Sequence, residues 1–204
     1  MNETPISRIP ASERREQILA AASIVFGERG YFGATTDQIA KAAGISQPYV
    51  VRMFGSKENL FTEVLSRASD KVLTTFVEAI ERWRASDSPD QPLSRILGTA
   101  YVNLVEDRGI LLSLMQAFSM GHDAVIGERA RRDFLKIYRV LRDDAGFAPE
   151  EARTFLAEGM LLNTLLALRL PDQYGLDQTT TELLECTFQT KLQMVLDTVV
   201  DQAR

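Results

Sequence analysis

TTDQIAKAAGISQPYVVRMFGSK, residues 35–57, reads as two short helices joined by a tight turn and followed by the start of a longer helix. Thr35 and Gln38 have the Thr-x-x-Gln spacing of a capping box. Asp37 adds negative charge where the helix dipole favours it. Ile39, Ala40 and Ala43 then share one face. Ala43-Gly44-Ile45-Ser46 is the break, because glycine readily takes the positive φ that a helix C-terminus often needs. Ile45 is expected in the buried corner.

The second helix carries Pro48 in its first turn, where a missing N–H costs little. Ser46 or Gln47 caps it. Val50 and Phe54, four apart, point inward with Ile39, which leaves Gln47, Tyr49 and Arg52 facing outward. An amide and a guanidinium on a short helix can read base edges in a major groove, and a phenol can meet phosphate or a thymine methyl. Gly55-Ser56 ends this helix and Ser56 caps the next. Lys57 sits at that helix's N-terminus, where an ammonium and main-chain N–H groups can share a phosphate. The stretch is a helix-turn-helix by spacing and by chemistry. The candidate DNA-contacting residues are Thr35, Thr36, Ser46, Gln47, Pro48, Tyr49, Arg52 and Lys57.

Working outward, REQILAAASIVFGERGYFGATTDQIAKAAGIS followed by FGSKENLF resembles the N-terminal domain of TetR-family transcriptional regulators. The likeness covers roughly residues 14–61. It includes the Ile18-to-Phe26 apolar stripe, Gly30-Tyr31, Thr35-Thr36, Ile39-Ala40, Ala43-Gly44-Ile45-Ser46, Phe54 and Ser56-Lys57-Glu58-Asn59-Leu60. The family usually has Gly or a small residue at position 48, Tyr at 51 and often His at 53. Here those positions are Pro48, Val51 and Met53, so two customary phosphate contacts are missing and Tyr49, Arg52 and Lys57 remain to make such contacts.

The chain has 204 residues, 45% of them apolar and 25% charged, enough for a sizeable core. Its net charge of −5 argues at first against nucleic acid. The distribution argues otherwise. Residues 1–57 hold seven Lys/Arg against five acids, a balance of +2 that leaves −7 for the remainder. A single cysteine, Cys186, excludes an internal disulfide framework and fits a reducing cytoplasm. MNETPISRIP has no apolar core and is not a secretory signal. The most apolar stretch, Phe155 to Leu170, is interrupted by Glu158, Asn163 and Arg169 and falls short of the roughly 20 residues of a membrane crossing. The expectation is a cytoplasmic protein without a membrane partner.

Residues 1–11 read as a mobile arm, and Ser12 as the cap of a first helix running to Gly30 with Ile18, Ala22, Val25 and Phe26 inward. Arg14 and Arg15 are either phosphate contacts or solvated. After Lys57 a long helix extends to about Arg84, its apolar positions Leu60, Val64, Ala68, Val72, Phe76, Ile80 and Trp83 repeating at three and four. Such a helix crosses from the DNA-reading unit into the C-terminal part of the chain. Residues 85–92 form a loop. Further helices are expected at 93–108, 110–121, 123–145, 149–170 and 178–200, with no strand pattern and no repeat. The fold class is all-α, about nine helices, divided into a three-helix DNA-binding domain at 1–56 and a helical ligand-binding and dimerisation domain at 57–204.

The last two helices carry more apolar surface than one core can cover. Leu184, Phe188, Leu192, Val195 and Val199 make one stripe on the final helix, widened by Leu183, Leu196 and Val200. The helix before it is apolar nearly all round, and such a helix needs cover on two sides. A homodimer through about 149–170 and 178–200 supplies it, and places two reading helices on the half-sites of a palindromic operator in double-stranded DNA. The resemblance implies the same, since TetR-like proteins dimerise through their last two long helices.

Enzyme chemistry has little to work with. There is one histidine, His122, no Glu-x-x-His, no Cys/His cluster and no Gly-rich phosphate loop, so no catalytic residue, metal site or cofactor is assigned. His122 reads as a structural or surface histidine, and Cys186 as a packing residue. The resemblance implies an effector pocket after the DNA-binding helices. Tyr101, Met115, Phe118, Ser119, Phe134 and Tyr138 are its candidate lining, an apolar set with few polar anchors. Residues of this kind at helical spacing are also ordinary core. The acid excess there points to a neutral or cationic ligand. The expected function is a dimeric, ligand-responsive regulator, a repressor released from its operator by a small molecule. The alternative is a helical protein-binding adaptor that keeps the helix-turn-helix as scaffold.

Overall fold

The computed structural model describes residues 10–86, 91–107 and 109–200, with side chains to Thr198. Most of the arm at 1–11 and the middle of the 85–92 loop lie outside the described residues, as do the side chains of Val199 and Val200. Among the described residues every regular element is helical. The helices are α1 (Ala11–Gly33), α2 (Thr36–Ala42), α3 (Gln47–Phe54), α4 (Lys57–Arg84), α5 (Leu93–Asn103), α6 (Ile110–Ser119), α7 (Ile126–Arg139), α8 (Pro149–Ala167), α9 (Gln178–Phe188) and α10 (Leu192–Val200).

The chain enters α1 from Pro10, whose carbonyl accepts from Arg14 N at 2.9 Å. Ser12 therefore lies inside the first turn and does not cap it, because the extended Pro10 already holds the capping position. Ile18, Ala22, Val25 and Phe26 face inward as their spacing requires. Near its end α1 turns at Gly30, whose φ of 68° only glycine adopts without strain.

α2, α3 and the first half of α4 close over α1. Ile39, Val50, Phe54, Leu60, Phe61 and Val64 bury against Ile18 and Phe26, with the Phe26 and Phe61 rings edge-on at 4.7 Å. The second half of α4 buries Val72, Phe76 and Ile80 in a different core, built with α5, α6, α8, α9 and α10. A helix of 28 residues spans about 40 Å, so one rigid rod belongs to both cores.

α6 is the other bridge. Its preceding residue, Gly109, sits at φ 83° against α1, and a Cβ there would lie 2.8 Å from Ile24 N and collide with the Ser23 carbonyl. Ser113 Oγ donates to Ser23 O at 3.3 Å. The two halves are tied at the surface by Arg15 with Glu63, and by Arg67, which reaches Glu16 at 3.6 Å and Asp107 at 3.1 Å.

The expected 123–145 helix is regular over Ile126–Arg139, preceded by the Asp123 carboxylate accepting from Val125 N and Ile126 N at 2.9 and 2.8 Å. It then widens to a five-residue π turn at Val140–Asp144. The expected 178–200 helix is interrupted. Gln189 takes φ 49°, a short 3-10 turn comes next, and α10 sets off at a new angle. After the break α10 packs on the two 3-10 turns Leu104–Glu106 and Leu170–Gln173.

Candidate DNA-binding interface and ligand cavity

Both halves of the Thr35–Gln38 capping box form. Gln38 N donates to Thr35 Oγ1 at 3.2 Å, and Thr35 N donates to Gln38 Oε1 at 3.0 Å. The turn after α2 is a Schellman closure: Ile45 N donates to Ala40 O at 3.0 Å, Gly44 N to Lys41 O at 3.1 Å, and Gly44 has φ 65°. Ile45 is half-buried and packs on the small core. These bonds fix the angle between α2 and α3 with main-chain geometry, independently of any ligand.

Ser46 is the residue before α3, but its hydroxyl makes no capping bond. Gln47 donates from Nε2 to Thr36 Oγ1 at 3.1 Å, which ties the start of α3 to the start of α2. Val50 and Phe54 are buried, so Pro48, Val51 and Arg52 are left exposed with Tyr49 half-buried beside them. The Arg52 guanidinium lies 5.0 Å from the Tyr49 ring centroid. Stacking of this kind holds a guanidinium plane in place while leaving its N–H edge free to bond. Met53 is half-buried against the core, so its departure from the usual residue is partly a packing matter. The exposed Val51 presents a methyl surface of the sort that meets a thymine methyl.

Lys57 does not extend from the surface. Its ammonium lies 4.6 Å from the Tyr31 ring and donates to Tyr31 O and Ala34 O at 2.9 and 3.2 Å. Two of its donors are therefore spent on the α1–α2 connection. Arg15 is likewise engaged, with Glu63 and over the Phe54 ring, while Arg14 bonds Gln17.

In the second core a cavity of about 40 Å³ is almost wholly apolar, with walls from α4, α5, α6, α7 and α8. Tyr101, Phe118 and Phe134 line it as expected. Met115, Ser119 and Tyr138 do not. On α6 the residues that turn inward are Leu114 and Phe118, four apart, which rotates Met115 and Ser119 onto another face; on α7 the inward pair is Phe134 and Ile137. Ser119 is exposed and donates to Met115 O at 3.2 Å, and Tyr138 sits beneath the Arg142 guanidinium.

Phe76, Phe155, Leu156, Gly159, Met160 and Asn163 complete the walls, and none of them is among the lining expected from the sequence. Asn163 was detectable as an amide inside an apolar run. Its Nδ2 lies 2.9 Å from the Tyr101 hydroxyl, forming a buried polar pair. Burial pushes the Tyr101 phenol up to about 12, with the Asn163 hydrogen bond opposing. His122 is exposed in the turn between α6 and α7, and Cys186, expected to pack, is exposed on α9. Among the described residues no group of three or more potential metal ligands is found, and no helix is long and apolar enough to cross a membrane.

Residues 18–64 match the family described as "Bacterial regulatory proteins, tetR family". The chain is 43% identical over 74 residues to the HTH-type transcriptional activator FasR of Mycolicibacterium smegmatis, covering 36% of this chain and 34% of that protein. It is 26% identical to the HTH-type transcriptional dual regulator CecR of Shigella flexneri, covering 94% of this chain and 95% of that one. Its fold is similar to that of a TetR-like transcriptional regulator from Rhodococcus sp. RHA1, with a TM-score of 0.58 and 21% identity over 90% of this chain and 98% of the other. All three are named as transcriptional regulators.

Proposed function

We propose that this chain is a DNA-binding transcriptional regulator of the TetR family, a homodimeric repressor released from a palindromic operator by a small effector. The observation that carries the reading is the position of α4 and α6. Both touch the cavity, through Phe76 on α4 and Leu114 and Phe118 on α6, and both bear on the DNA-binding helices, α4 through Phe61 and Val64 and α6 through Gly109 and Ser113. Filling the cavity moves the same helices that hold the α2–α3 unit. The working division is a DNA-binding domain at 1–56 and an effector and dimerisation domain at 57–204, with α4 reaching back into the first core.

Tyr49, Val51 and Arg52 supply the major-groove face of α3, and Gln47 and Thr36 its approach to the backbone. Dimerisation uses α8 and α9, where Leu161 on α8, Leu168 just past its end and Leu183 on α9 remain 43%, 64% and 39% exposed in the single chain. Leucines so open on neighbouring helices mark a surface that a second copy covers. Effector release needs a differential affinity of only about 1–3 kcal/mol between the two states. FasR is named an activator and CecR a dual regulator.

Selection of bound fragments from a random duplex pool by the purified full chain tests the reading. A recovered palindrome with half-sites about one helical turn apart, or a multiple, is expected. No specific fragment at low salt would favour the protein-binding adaptor instead.

A further inference from the structure

A cleft of about 550 Å³ lies between α5, α8, the end of α9 and the 3-10 turn that follows it, a size within the range of small-molecule sites. Its floor is apolar: Val102 on α5, Phe155 and Leu162 on α8 and Phe188 on α9 line it and are buried. Its rim is charged. Arg95 on α5 donates from Nη2 to Gln189 Oε1 at 3.1 Å, so a neutral amide holds the guanidinium. Lys191 lines the cleft from the 3-10 turn, and among the described residues neither cation forms an ion pair. Glu158 is the only acid on the walls, so two cations less one acid leave a charge of +1.

Two glycines line this space, one on each of the facing helices α5 and α8. Gly98, in the middle of α5, has neither a positive φ nor a neighbour that excludes a side chain, since an added Cβ would meet nothing within 4 Å. A Cβ at Gly159 would come only to 3.5 Å from the Tyr101 ring, an ordinary contact. Glycine in a helix interior destabilises the helix relative to alanine, so such a position is explained by something that approaches the bare backbone. In the single chain nothing approaches Gly98, and its missing side chain leaves space in the cleft. Tyr101, Phe155 and Gly159 also line the apolar cavity, which makes the two spaces neighbours. The rings of Tyr101 and Phe155 both pack on Phe76 of α4, with centroids 6.0 and 5.6 Å away.

The geometry points to this cleft as the seat of the effector, and to an organic anion as its occupant: a carboxylate on an apolar body. The carboxylate meets the Arg95 guanidinium, whose fork matches it, and the Lys191 ammonium, while the body passes Gly98 to the apolar floor. An amine of the same shape meets two cations against one acid and is disfavoured. The C-terminal domain as a whole is acidic, −7 over residues 58–204, so the positive sign at this cleft is a local departure from its surroundings. The site also explains how binding is felt. A ligand here packs against Tyr101 and Phe155, and through their rings bears on Phe76 of the helix that supports α2 and α3. Leu161 belongs both to the cleft and to the proposed dimer surface, which makes a second copy of the chain the competing occupant. The proposal rests on the effector reading given above and specifies the site and the ligand class.

The test is titration calorimetry of the full chain, without DNA, against phenylbutyrate, phenylbutanol and phenylbutylamine. The acid is expected to bind at least about tenfold tighter than the amine, with the alcohol between them. In the double variant Arg95→Gln, Lys191→Gln that preference should disappear. Gly98→Leu puts a side chain into the open space and should abolish binding while keeping the wild-type sedimentation coefficient. Cys186, the chain's one cysteine, lines the cleft, so phenylbutyrate should slow its alkylation by iodoacetamide in the wild type and not in Gly98→Leu. An acid that binds no tighter than the amine, a preference that survives in the double variant, undiminished binding in Gly98→Leu, a Cys186 that phenylbutyrate leaves unprotected, or no binding at millimolar concentration would each overturn the assignment. So would a Gly98→Leu chain that changes from dimer to monomer, by giving the cleft to a second copy. Failure of the effector reading would show separately, as saturating phenylbutyrate that leaves operator affinity unchanged.

Discussion

The ammonium of Lys57 stands over the ring of Tyr31 and donates to that residue's own carbonyl oxygen at 2.9 Å, with a second bond to Ala34 O at 3.2 Å. The first residue of α4 is thereby clasped to the end of α1 and the start of the helix-turn-helix. The carbonyls it meets are those left open where α1 finishes, and a cation there is also favoured by the helix dipole. Lys57 is thus a structural clasp first, with one N–H left for phosphate.

Lys57→Met should lower stability by about 1–2 kcal/mol, the usual net value of hydrogen bonds to a charged group that is not fully buried. At about 2–4 °C per kcal/mol for a chain of this size, thermal unfolding should detect it. An unchanged melting temperature together with weakened DNA binding would instead return Lys57 to a purely phosphate-contacting role.

Gly109→Ala should be among the most damaging single changes. The residue holds φ 83°, and its added Cβ would fall on the main chain of Ser23 and Ile24. Positive φ costs about 1 kcal/mol or more for alanine, and forced repacking about 1–3 kcal/mol more. The separation of α6 from α1 should show as lost stability and lost operator binding together. A variant that melts like the wild type would mean that this contact is loose.

Arg52→Ala should weaken operator binding about tenfold. If the guanidinium meets phosphate, the salt slope should also fall by about one; if it meets a base, discrimination at one position should relax instead. Tyr49→Phe keeps the platform under Arg52 and should cost less than Tyr49→Ala. Equal losses for the two tyrosine variants would show that the hydroxyl, and not the ring, is what counts.

Tyr101 makes stability depend on alkaline pH. Its phenol is raised from 10.0 to about 12 by burial, so the folded chain holds that proton more tightly than the unfolded chain does. The stabilisation is complete below pH about 10 and is lost as pH rises towards about 12, amounting to roughly 2–3 kcal/mol. Urea unfolding of wild type and Tyr101→Phe across that window should show an excess fall in the wild type only. Parallel curves would place the phenol in contact with solvent.

Leu161→Glu should give a monomer in sedimentation velocity while leaving the helical signal intact, since this leucine projects from α8. Persistence of the dimer would move the interface away from α8.

Much of the N-terminal unit was legible because its information is local. The Thr35–Gln38 box, the Gly44 turn, the Ser56 cap and the Val50–Phe54 spacing each depend on residues a few positions apart, and each forms as read. The long α4 was legible for the same reason, its apolar period carrying without interruption from Leu60 to Ile80. The bonds from Lys57 to the carbonyls of Tyr31 and Ala34, 26 and 23 residues earlier, were not legible, because no local pattern brings those carbonyls to the start of α4.

The sequence by itself determined the helix-turn-helix, the caps at Thr35 and Ser56, the long α4 and the helical class, because those depend on short-range periodicity and main-chain bonding. Only the tertiary structure decided which face of α6 and α7 looks into the cavity, that Asn163 pairs with Tyr101, that Asp133 is buried against Ser69, and that the last helix breaks at Gln189. Each of these depends on the rotation of one helix about its axis against another. A turn of 100° per residue exchanges Met115 for Leu114 or Tyr138 for Ile137 at no cost in helix propensity. The packing of neighbours, and not the local chain, chooses between them.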